Sequence, residues 1–303
     1  MRFRSNLEKV LTENKFAITA EVGPPKGSDP NKIKEKAELL KNSAHAFNIT
    51  DNQTAVVRLS SFGGSVILLN MGLEPIMQIS CRDRNRIALQ SDVLGAASVG
   101  IRNILFITGD HQSFGNHPEA KGVFDIDSIQ LIKIVKKMRD DGVFQSGDKI
   151  LATNPDIFIG GAANPFADPL EYRVDRLEKK INAGVDFIQT QSVFDLDRFN
   201  IWMDEVRSRG LDKKVHILAG ITPLKSLKMT ERMKFHVPGV DIPDRLYDKM
   251  KKTDDYKKTG YEVALNLIDE VKKIRGVHGI HITALFWEDI IPNLVEDTNL
   301  MAR

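Results

Sequence analysis

The sequence contains a single cysteine, Cys81, among its 303 residues. One cysteine cannot form an internal disulfide, and this usage is typical of a reducing compartment. No stretch reaches the roughly 18 uninterrupted apolar residues that a membrane-spanning helix needs. Residues 1–15 contain no apolar core of the kind found in a secretory signal peptide. We therefore expect a cytoplasmic protein with no membrane partner.

Charge of one sign is also not in excess, since 43 Lys and Arg residues stand against 41 Asp and Glu, for a formal net charge of +2. This balance argues against nucleic acid as the main partner. No Cys/His cluster has the spacing of a metal site, so we expect no metal. A Gly-x-Gly-x-x-Gly turn after the first strand and a Gly-Lys-Ser/Thr phosphate loop are both missing, so the sequence lacks the usual dinucleotide and P-loop fingerprints.

Short apolar runs typical of buried strands alternate with helix-like segments along the whole chain. The predicted strands are residues 16–21, 46–50, 75–80, 103–108, 157–163, 187–191, 215–221 and 279–285. The predicted helices between them are residues 31–41, 56–71, 85–99, 125–139, 170–183, 195–209, 225–233, 245–250 and 261–274.

This alternation predicts an α/β fold, a single (β/α)8 TIM barrel over residues 1–303. Residues 238–274 are predicted to form an extended helical insertion before the eighth strand. No linker or shift in composition divides the chain. A doubly wound open sheet is the alternative architecture.

Polar residues stand at the carboxyl ends of nearly all the predicted strands. In a TIM barrel the active site lies at this end, and rigid strands carrying converging polar groups are what a ligand pocket needs. The alternative interpretation is that strand ends are polar because they meet solvent. The set comprises Glu21, Thr50, Asp51, Asn52, Gln78, Ser80, Thr108, Gly109, Asp110, Ala163, Asn164, Thr190, Gln191 and Thr222.

Two acids of this set, Glu21 and Asp110, directly follow strongly apolar strands and are the predicted catalytic residues. A carboxyl inside a barrel mouth loses hydration, so the pKa of Glu21 should rise toward neutrality, which suits a general acid. Asp110 follows Gly109, where the absence of a Cβ lets the backbone approach a flat ligand closely. An ionised Asp110 would tune an electron-rich ring stacked beside it.

Several short motifs together resemble the methylenetetrahydrofolate reductase family. None of them is decisive alone, but their order and spacing extend from about residue 16 to about residue 285. The motifs are Glu21 with Pro24-Pro25, Thr50 after Phe47-Asn48-Ile49, Thr108-Gly109-Asp110, Lys180 before Asn182-Ala183-Gly184, Gln189-Thr190-Gln191 and Gly220-Ile221-Thr222-Pro223.

The resemblance implies a flavin-bearing (β/α)8 barrel that reduces 5,10-methylenetetrahydrofolate to 5-methyltetrahydrofolate. It implies that Glu21 protonates a folate nitrogen, that reduced flavin passes hydride to the resulting iminium carbon, and that Asp110 lies beside the flavin and pterin rings. The implied substrate-binding residues are Thr50, Gln191, Thr222 and Met229. The implied cofactor-binding residues are Asp51, Asn52, Gln78, Ser80, Thr108, Gly109, Asp110, His111, Phe124, Asp125, Ala162, Asn164, Arg176, Lys179 and Lys180.

The chain departs from the family pattern mainly where the resemblance places the cofactor. The departures are Gln78, Thr108, Gly160, Asn164, Arg173, Met229, Met233 and Trp287. Because of these departures, two flavins are compatible with the sequence: FAD held by changed contacts, which is favoured, or FMN. They also leave the electron donor as NAD(P)H or a partner redox subunit, so the chain is expected to form a homo-oligomer or to join such a complex. A pterin-dependent methyltransferase on the same barrel and a non-catalytic subunit presenting flavin or folate are the competing functions.

Overall fold

The computed structural model of the chain describes residues 2–237 and 239–300. Within these ranges, eight parallel strands close into a barrel in sequence order, so that the eighth pairs with the first. The predicted single (β/α)8 barrel is thereby confirmed. The strands are β1 (Ala17–Glu21), β2 (Ala46–Ile49), β3 (Pro75–Ser80), β4 (Asn103–Ile107), β5 (Phe158–Ala163), β6 (Phe187–Ser192), β7 (His216–Ile221) and β8 (Val277–Ile282).

Apart from the first, the helices follow strands and cover the outside of the barrel. In the described ranges, none of them combines the length and the apolar character needed to cross a bilayer. They are α1 (Asn6–Thr12), α2 (Asn31–Leu40), α3 (Ser61–Asn70), α4 (Arg86–Ser98), α5 (Ser128–Asp140), α6 (Tyr172–Ala183), α7 (Leu196–Ser208), α8 (Leu227–His236), α9 (Asp244–Lys252), α10 (Tyr256–Val271) and α11 (Ile291–Asp297).

The segment predicted as an insertion, residues 238–274, contains α9 and α10. Its first residue, Pro238, lies outside the described residues, as do residues 1 and 301–303 of the predicted domain. The limits of the insertion and of the domain therefore stay predictions.

Several predicted elements have different limits in the structure, among them α8, α10, β8 and α3. β8 begins at Val277 and ends at Ile282, three residues before the predicted end. α3 begins at Ser61 instead of residue 56, because the Ser60 hydroxyl caps the helix by accepting from the Gly63 amide at 3.1 Å. Gly64 does not interrupt α3. A Cβ there would lie 2.8 Å from Ile49 Cγ2, so the glycine allows the helix to pack directly on β2.

The short helix α1, which the sequence patterns did not predict, closes the N-terminal end of the barrel. Its side chains Leu7, Val10 and Leu11 are buried against the lowest inward-facing layer of the strands. This apolar cluster lies opposite the polar strand ends, so much of the barrel's stability is separated from the mouth. The strand residues in the layer are Ala17, Ala46, Ile76, Leu105, Phe158, Phe187 and Leu218.

Candidate active site

A layer of polar side chains lies above this apolar cluster in the barrel interior. Asn48 on β2 and Gln189 on β6 belong to strands that are not neighbours, yet their amides pair. Asn48 Nδ2 donates to Gln189 Oε1 at 2.6 Å, and Gln189 Nε2 donates to Asn48 Oδ1 at 3.0 Å. Gln189 Nε2 also donates to Thr19 Oγ1 at 3.0 Å. The resulting hydrogen bonds join opposite walls of the barrel into a polar floor beneath the strand ends.

His281 on β8 connects this polar floor to the rim above it. Its Nδ1 lies 3.0 Å from Thr19 Oγ1, and its Nε2 lies 3.3 Å from Thr283 Oγ1. Burial lowers the pKa of His281 to about 4, so the ring is neutral near pH 7. A neutral imidazole accepts at one nitrogen and donates at the other, which matches a hydroxyl on each side.

The floor residues were not predicted as functional, although the sequence contains a signal for them. Side chains along a strand alternate in direction, so residues two apart share a face. Four strands place a polar residue two positions before a polar residue at the strand end. The pairs are Thr19 with Glu21, Asn48 with Thr50, Gln189 with Gln191, and His281 with Thr283.

Glu21 ends β1 above the floor and is half-buried. Gln53 Nε2 donates to its Oε1 at 3.4 Å. Burial raises the pKa of Glu21 to about 7, while the Gln53 hydrogen bond and the positive charges of Lys36 and Arg58 oppose the rise. The direction agrees with the expectation for a carboxyl at a barrel mouth, so Glu21 can exist in both protonation states near neutral pH.

The loop after β2 holds Gln53 over Glu21 in a strained conformation. Asn52, Thr54 and Ala55 have φ values of 44°, 56° and 55°, in the left-handed region that non-glycine residues rarely adopt. Arg58 anchors this loop, because its guanidinium donates to the Pro24 carbonyl at 3.1 Å. Strain that is retained by specific contacts is typical of functional loops.

Asp51 forms an ion pair with Arg84, and its carboxylate is buried. Arg84 donates to its two carboxylate oxygens at 2.7 and 3.2 Å, and the Ser80 amide donates at 2.9 Å. The Asp51 side chain has no exposed surface. In this structure Asp51 therefore joins the ends of β2 and β3. Arg84 and Ser80 already bind its carboxylate, which is not free for the predicted contact with a cofactor.

Arg82, which sequence reasoning missed, holds two loops at the mouth. It is 3% exposed, and its guanidinium donates to the carbonyls of Asn52 and Asp110, each at 3.2 Å. The Asp110 residue is exposed at the start of the loop after β4. Gly109 before it has φ +93°, and a Cβ there would lie 2.2 Å from Ser80 Oγ, so both backbone and packing require glycine.

Three predicted residues of the β4–α5 loop are exposed or half-buried. The rings of His111 and Phe124 stack with centroids 6.5 Å apart and planes 6° apart, and Phe124 has φ +38°. Asp125 is exposed and pairs with Arg86 at 2.7 Å, and hydrogen bonds from Arg86 lower the pKa of Asp125 to about 2. Asp125 thus orders the loop against α4.

On the β5 side, Lys180 is a buried cation without a counter-ion. It is 9% exposed, its ammonium donates to the Ala162 carbonyl, and it makes no ion pair within the described part of the chain. Burial and, to a lesser extent, the nearby Arg176 lower its pKa to about 8. Arg176 and Lys179 are exposed on the same helix, α6. A buried ammonium with unused donors favours an anionic ligand such as a phosphate.

The remaining predicted residues lie around the ends of β5, β6 and β7. Thr222 is 3% exposed and its hydroxyl lies 2.6 Å from that of Ser192. Gln191 is half-buried, and its Oε1 accepts from the Ser192 amide at 3.2 Å. Met229, in the first turns of α8, packs against the core. The Asn164 carboxamide oxygen accepts from the Phe166 amide at 3.1 Å.

On β5, Gly160 takes the place of a floor side chain, and the Phe187 ring fills the space beside it, since a Cβ at Gly160 would lie 2.4 Å from that ring. Gln78, at the same level of β3, is half-buried. Thr50 Oγ1 is buried and has no hydrogen-bond partner among the described residues, which indicates a polar contact supplied from outside the chain.

Two other cavities lie away from the mouth on the described surface. One is a groove between α4 and the segment near Phe144, and the other lies at the N-terminal ends of β6–β8, around His216 and His278. Neither brings together a half-buried carboxyl, a buried unpaired ammonium and an unpartnered hydroxyl. We therefore place the candidate active site at the mouth.

Comparison with known proteins relates this chain to one family. The model of the family described as methylenetetrahydrofolate reductase matches residues 6–299. "Methylenetetrahydrofolate reductase 1" of Schizosaccharomyces pombe is 24% identical over 245 residues, which cover 78% of this chain and 38% of that protein. "5,10-methylenetetrahydrofolate reductase" of Escherichia coli is 24% identical over 209 residues, 69% of this chain and 64% of that protein.

A solved structure shares the fold over 98% of this chain and 100% of its own, with a TM-score of 0.67 and 17% identity. It is an uncharacterised protein from Clostridium thermocellum described as binding two copies of 5-methyl-5,6,7,8-tetrahydrofolic acid. The chain spans from about a third to two thirds of the length of the curated relatives named above. Because the family model matches nearly the whole chain, the predicted resemblance is confirmed, and the chain belongs to the methylenetetrahydrofolate reductase family.

Proposed function

We propose that this chain catalyses the flavin-dependent reduction of 5,10-methylenetetrahydrofolate to 5-methyltetrahydrofolate, with Glu21 as the general acid. The observation that carries the proposal is the Glu21 carboxyl at the barrel mouth, whose pKa burial raises to about 7. Family membership supports the reaction class. The folate bound by the similar Clostridium thermocellum protein supports a folate ligand.

The proposed role of Glu21 follows from its protonation near neutral pH. A protonated carboxyl donates to the folate nitrogen that leaves the methylene carbon, and the five-membered ring opens to an iminium. Reduced flavin, when bound, supplies the hydride that completes the methyl group. The chain's own contribution is to deliver one proton and to hold the reacting atoms above a rigid floor.

The groups around Glu21 fit a polar, flat substrate. Thr50 has an unpartnered buried hydroxyl, and Gln191 retains amide donors. Together with Thr222 they would bind the heteroatoms of the pterin, while Asp110 would lie at the ring edge. The Asn48–Gln189 pair beneath prevents the substrate from sinking deeper into the barrel.

The residues on the β3–β5 side fit a flavin, and we propose FAD. Lys180, with Arg176 and Lys179 beside it, offers positive charge to phosphate groups. Gln78 offers an amide to the heteroatom edge of the isoalloxazine, and Gly109 allows a close approach of the backbone.

Replacing Glu21 by Gln tests the proposal. We expect folate reduction to fall by about 10²–10⁴-fold, as for loss of a general acid, while the flavin absorbance of the purified protein persists. Glu35→Gln, which changes an exposed carboxyl of α2, should leave turnover intact. An undiminished Glu21→Gln enzyme would require a different acid, and a protein that binds folate without any flavin spectrum would favour the methyltransferase function.

The same spectrum tests the source of electrons, which we propose to be NAD(P)H or a partner redox subunit. Bleaching of the flavin by NADH or NADPH alone identifies the direct route. Bleaching by artificial donors, without bleaching by NADH or NADPH, identifies the partner-dependent route.

A further inference from the structure

Arg82, on the loop after β3, is held in place by both its backbone and its side chain. Its amide donates to Ser80 Oγ at 3.2 Å, and its carbonyl accepts from the Val123 amide at 2.7 Å. Its guanidinium donates twice to the Asp83 carboxylate, at 2.8 and 2.7 Å. Because a guanidinium is planar and this carboxylate binds it through both oxygens, its remaining N–H groups have fixed directions.

The remaining donors of Arg82 join two loops of the mouth. One donates to the Asn52 carbonyl and another to the Asp110 carbonyl, each at 3.2 Å. The Asn52 carbonyl belongs to the peptide group that leads into Gln53, whose side chain donates to Glu21 Oε1 at 3.4 Å. Asn52 has φ 44°, a strained conformation that needs such contacts to persist. Arg82 therefore binds Asp110 directly and binds the peptide group next to the partner of Glu21.

Resting on the proposed function, we propose that Arg82 is a positioning residue for the two predicted catalytic residues. It holds Gln53 against the general acid Glu21, and it holds the backbone of Asp110 at the mouth. Arg82 is 3% exposed, so its role does not require contact with a ligand. Its two carbonyl contacts fix the loop after β2 relative to the loop after β4. A displacement of about 1 Å at the reacting atoms can cost about 100-fold in rate.

The main test variant is Arg82→Lys, which keeps the positive charge beside Asp83. An ammonium lacks the planar fork of a guanidinium, so it cannot bind Asp83 and both carbonyls at once. We expect kcat for folate reduction to fall about 10- to 100-fold, with a smaller change in KM and with the flavin absorbance retained. The matched control is Arg207→Lys, since Arg207 also binds a carboxylate, that of Asp204, and donates to the Arg275 carbonyl at 2.7 Å, just before β8 begins. It should leave kcat unchanged.

A second readout separates positioning from a general loss of stability. The Gln53 hydrogen bond favours the ionised form of Glu21, so its loss in Arg82→Lys should raise the pKa of Glu21 by about 0.3–1 unit. Gln53→Leu should raise it equally, and the double variant should shift no further, within about 0.3 unit. The titration is followed by ¹³C NMR of protein labelled at glutamate Cδ, with the Glu21 signal assigned by its loss in Glu21→Gln. All these Arg82 and Gln53 variants keep the charged neighbours of Glu21, which are Lys36, Arg58 and Glu288.

Arg82→Lys with a lower melting temperature but with kcat and the Glu21 titration unchanged would overturn the inference, since Arg82 would then be structural only. Additive shifts in the double variant would also overturn it, because Arg82 would then act on Glu21 without Gln53. If Arg82→Lys does not fold, Arg82→Gln replaces it, and a shift caused only by the lost charge would persist in the Gln53→Leu background. The two proposals fail separately: turnover retained by Glu21→Gln rejects the general acid, while an unmoved titration in Arg82→Lys rejects only the role of Arg82.

Discussion

Replacing Glu21 by Gln should stabilise the folded protein at alkaline pH, although we expect it to abolish proton transfer. Burial raises the pKa of Glu21 from 4.5 to about 7. Between these values the folded state keeps a proton that the unfolded chain releases, so stability falls as pH rises through this window. Each pKa unit corresponds to about 1.4 kcal/mol, which gives about 3.5 kcal/mol for the whole shift. Because Glu21 retains some exposed surface, we expect about 1.5–3 kcal/mol.

Urea unfolding at pH 5 and pH 8.5 measures this pH-dependent loss in the free energy of unfolding. Glu21→Gln should be about as stable as the unmodified protein at pH 5 and more stable by about 1.5–3 kcal/mol at pH 8.5, since the amide cannot ionise. Glu35→Gln, at a side chain 65% exposed, should stay within about 0.5 kcal/mol at both pH values. Coincident transitions by circular dichroism and tryptophan fluorescence justify the two-state treatment. A stability difference independent of pH would refute the reasoning that burial raises the proton affinity of Glu21.

Two further predictions concern the floor and the buried ammonium. Asn48→Ala should lower the free energy of unfolding, measured in urea, by about 2–4 kcal/mol, because it leaves the buried Gln189 amide without its partner. The double variant Asn48→Leu/Gln189→Leu should recover much of this loss. An equal loss in both variants would contradict the pairing. Lys180→Met should weaken flavin binding, measured by fluorescence titration, about 10- to 100-fold, while Lys133→Met on the exposed face of α5 should not. Binding to the unmodified protein should also weaken above about pH 8, where Lys180 loses its proton; unchanged affinity in Lys180→Met would place the phosphates elsewhere.

The barrel could be predicted from the sequence because each strand is a local apolar run and the order of strands is the order of the chain. Helix α1 could not, since its apolar residues Leu7, Val10 and Leu11 become a hydrophobic face only against the barrel end that they cover. The end of β8 was placed too far along the chain because the apolar pattern continues past Ile282, where the pairing with β1 stops.

At the candidate site, too, the sequence could not predict which contacts each residue makes. Sequence position identified which polar residues reach the mouth, but not which of them already have partners. Asp51 and Asp125 were predicted beside the cofactor, and each is bound to an arginine more than thirty residues away in sequence, Arg84 and Arg86 respectively. Such pairings depend on how loops meet after the barrel closes, and they decide whether a carboxylate is free to bind a ligand.

The distribution of unfavourable features in the barrel indicates how binding and stability are related. Five of the eight left-handed non-glycine residues in the described chain lie in loops after strand ends: Asn52, Thr54, Ala55, Phe124 and Phe286. The half-buried Glu21 and the uncompensated Lys180 belong to the same end. A ligand that takes a proton from Glu21, offers an anion to Lys180 or packs against a strained loop would make the corresponding feature less unfavourable. Because α1 and the polar floor stabilise the lower half independently, the mouth can remain strained without unfolding the barrel, and ligands that bind there should raise its stability by mass action.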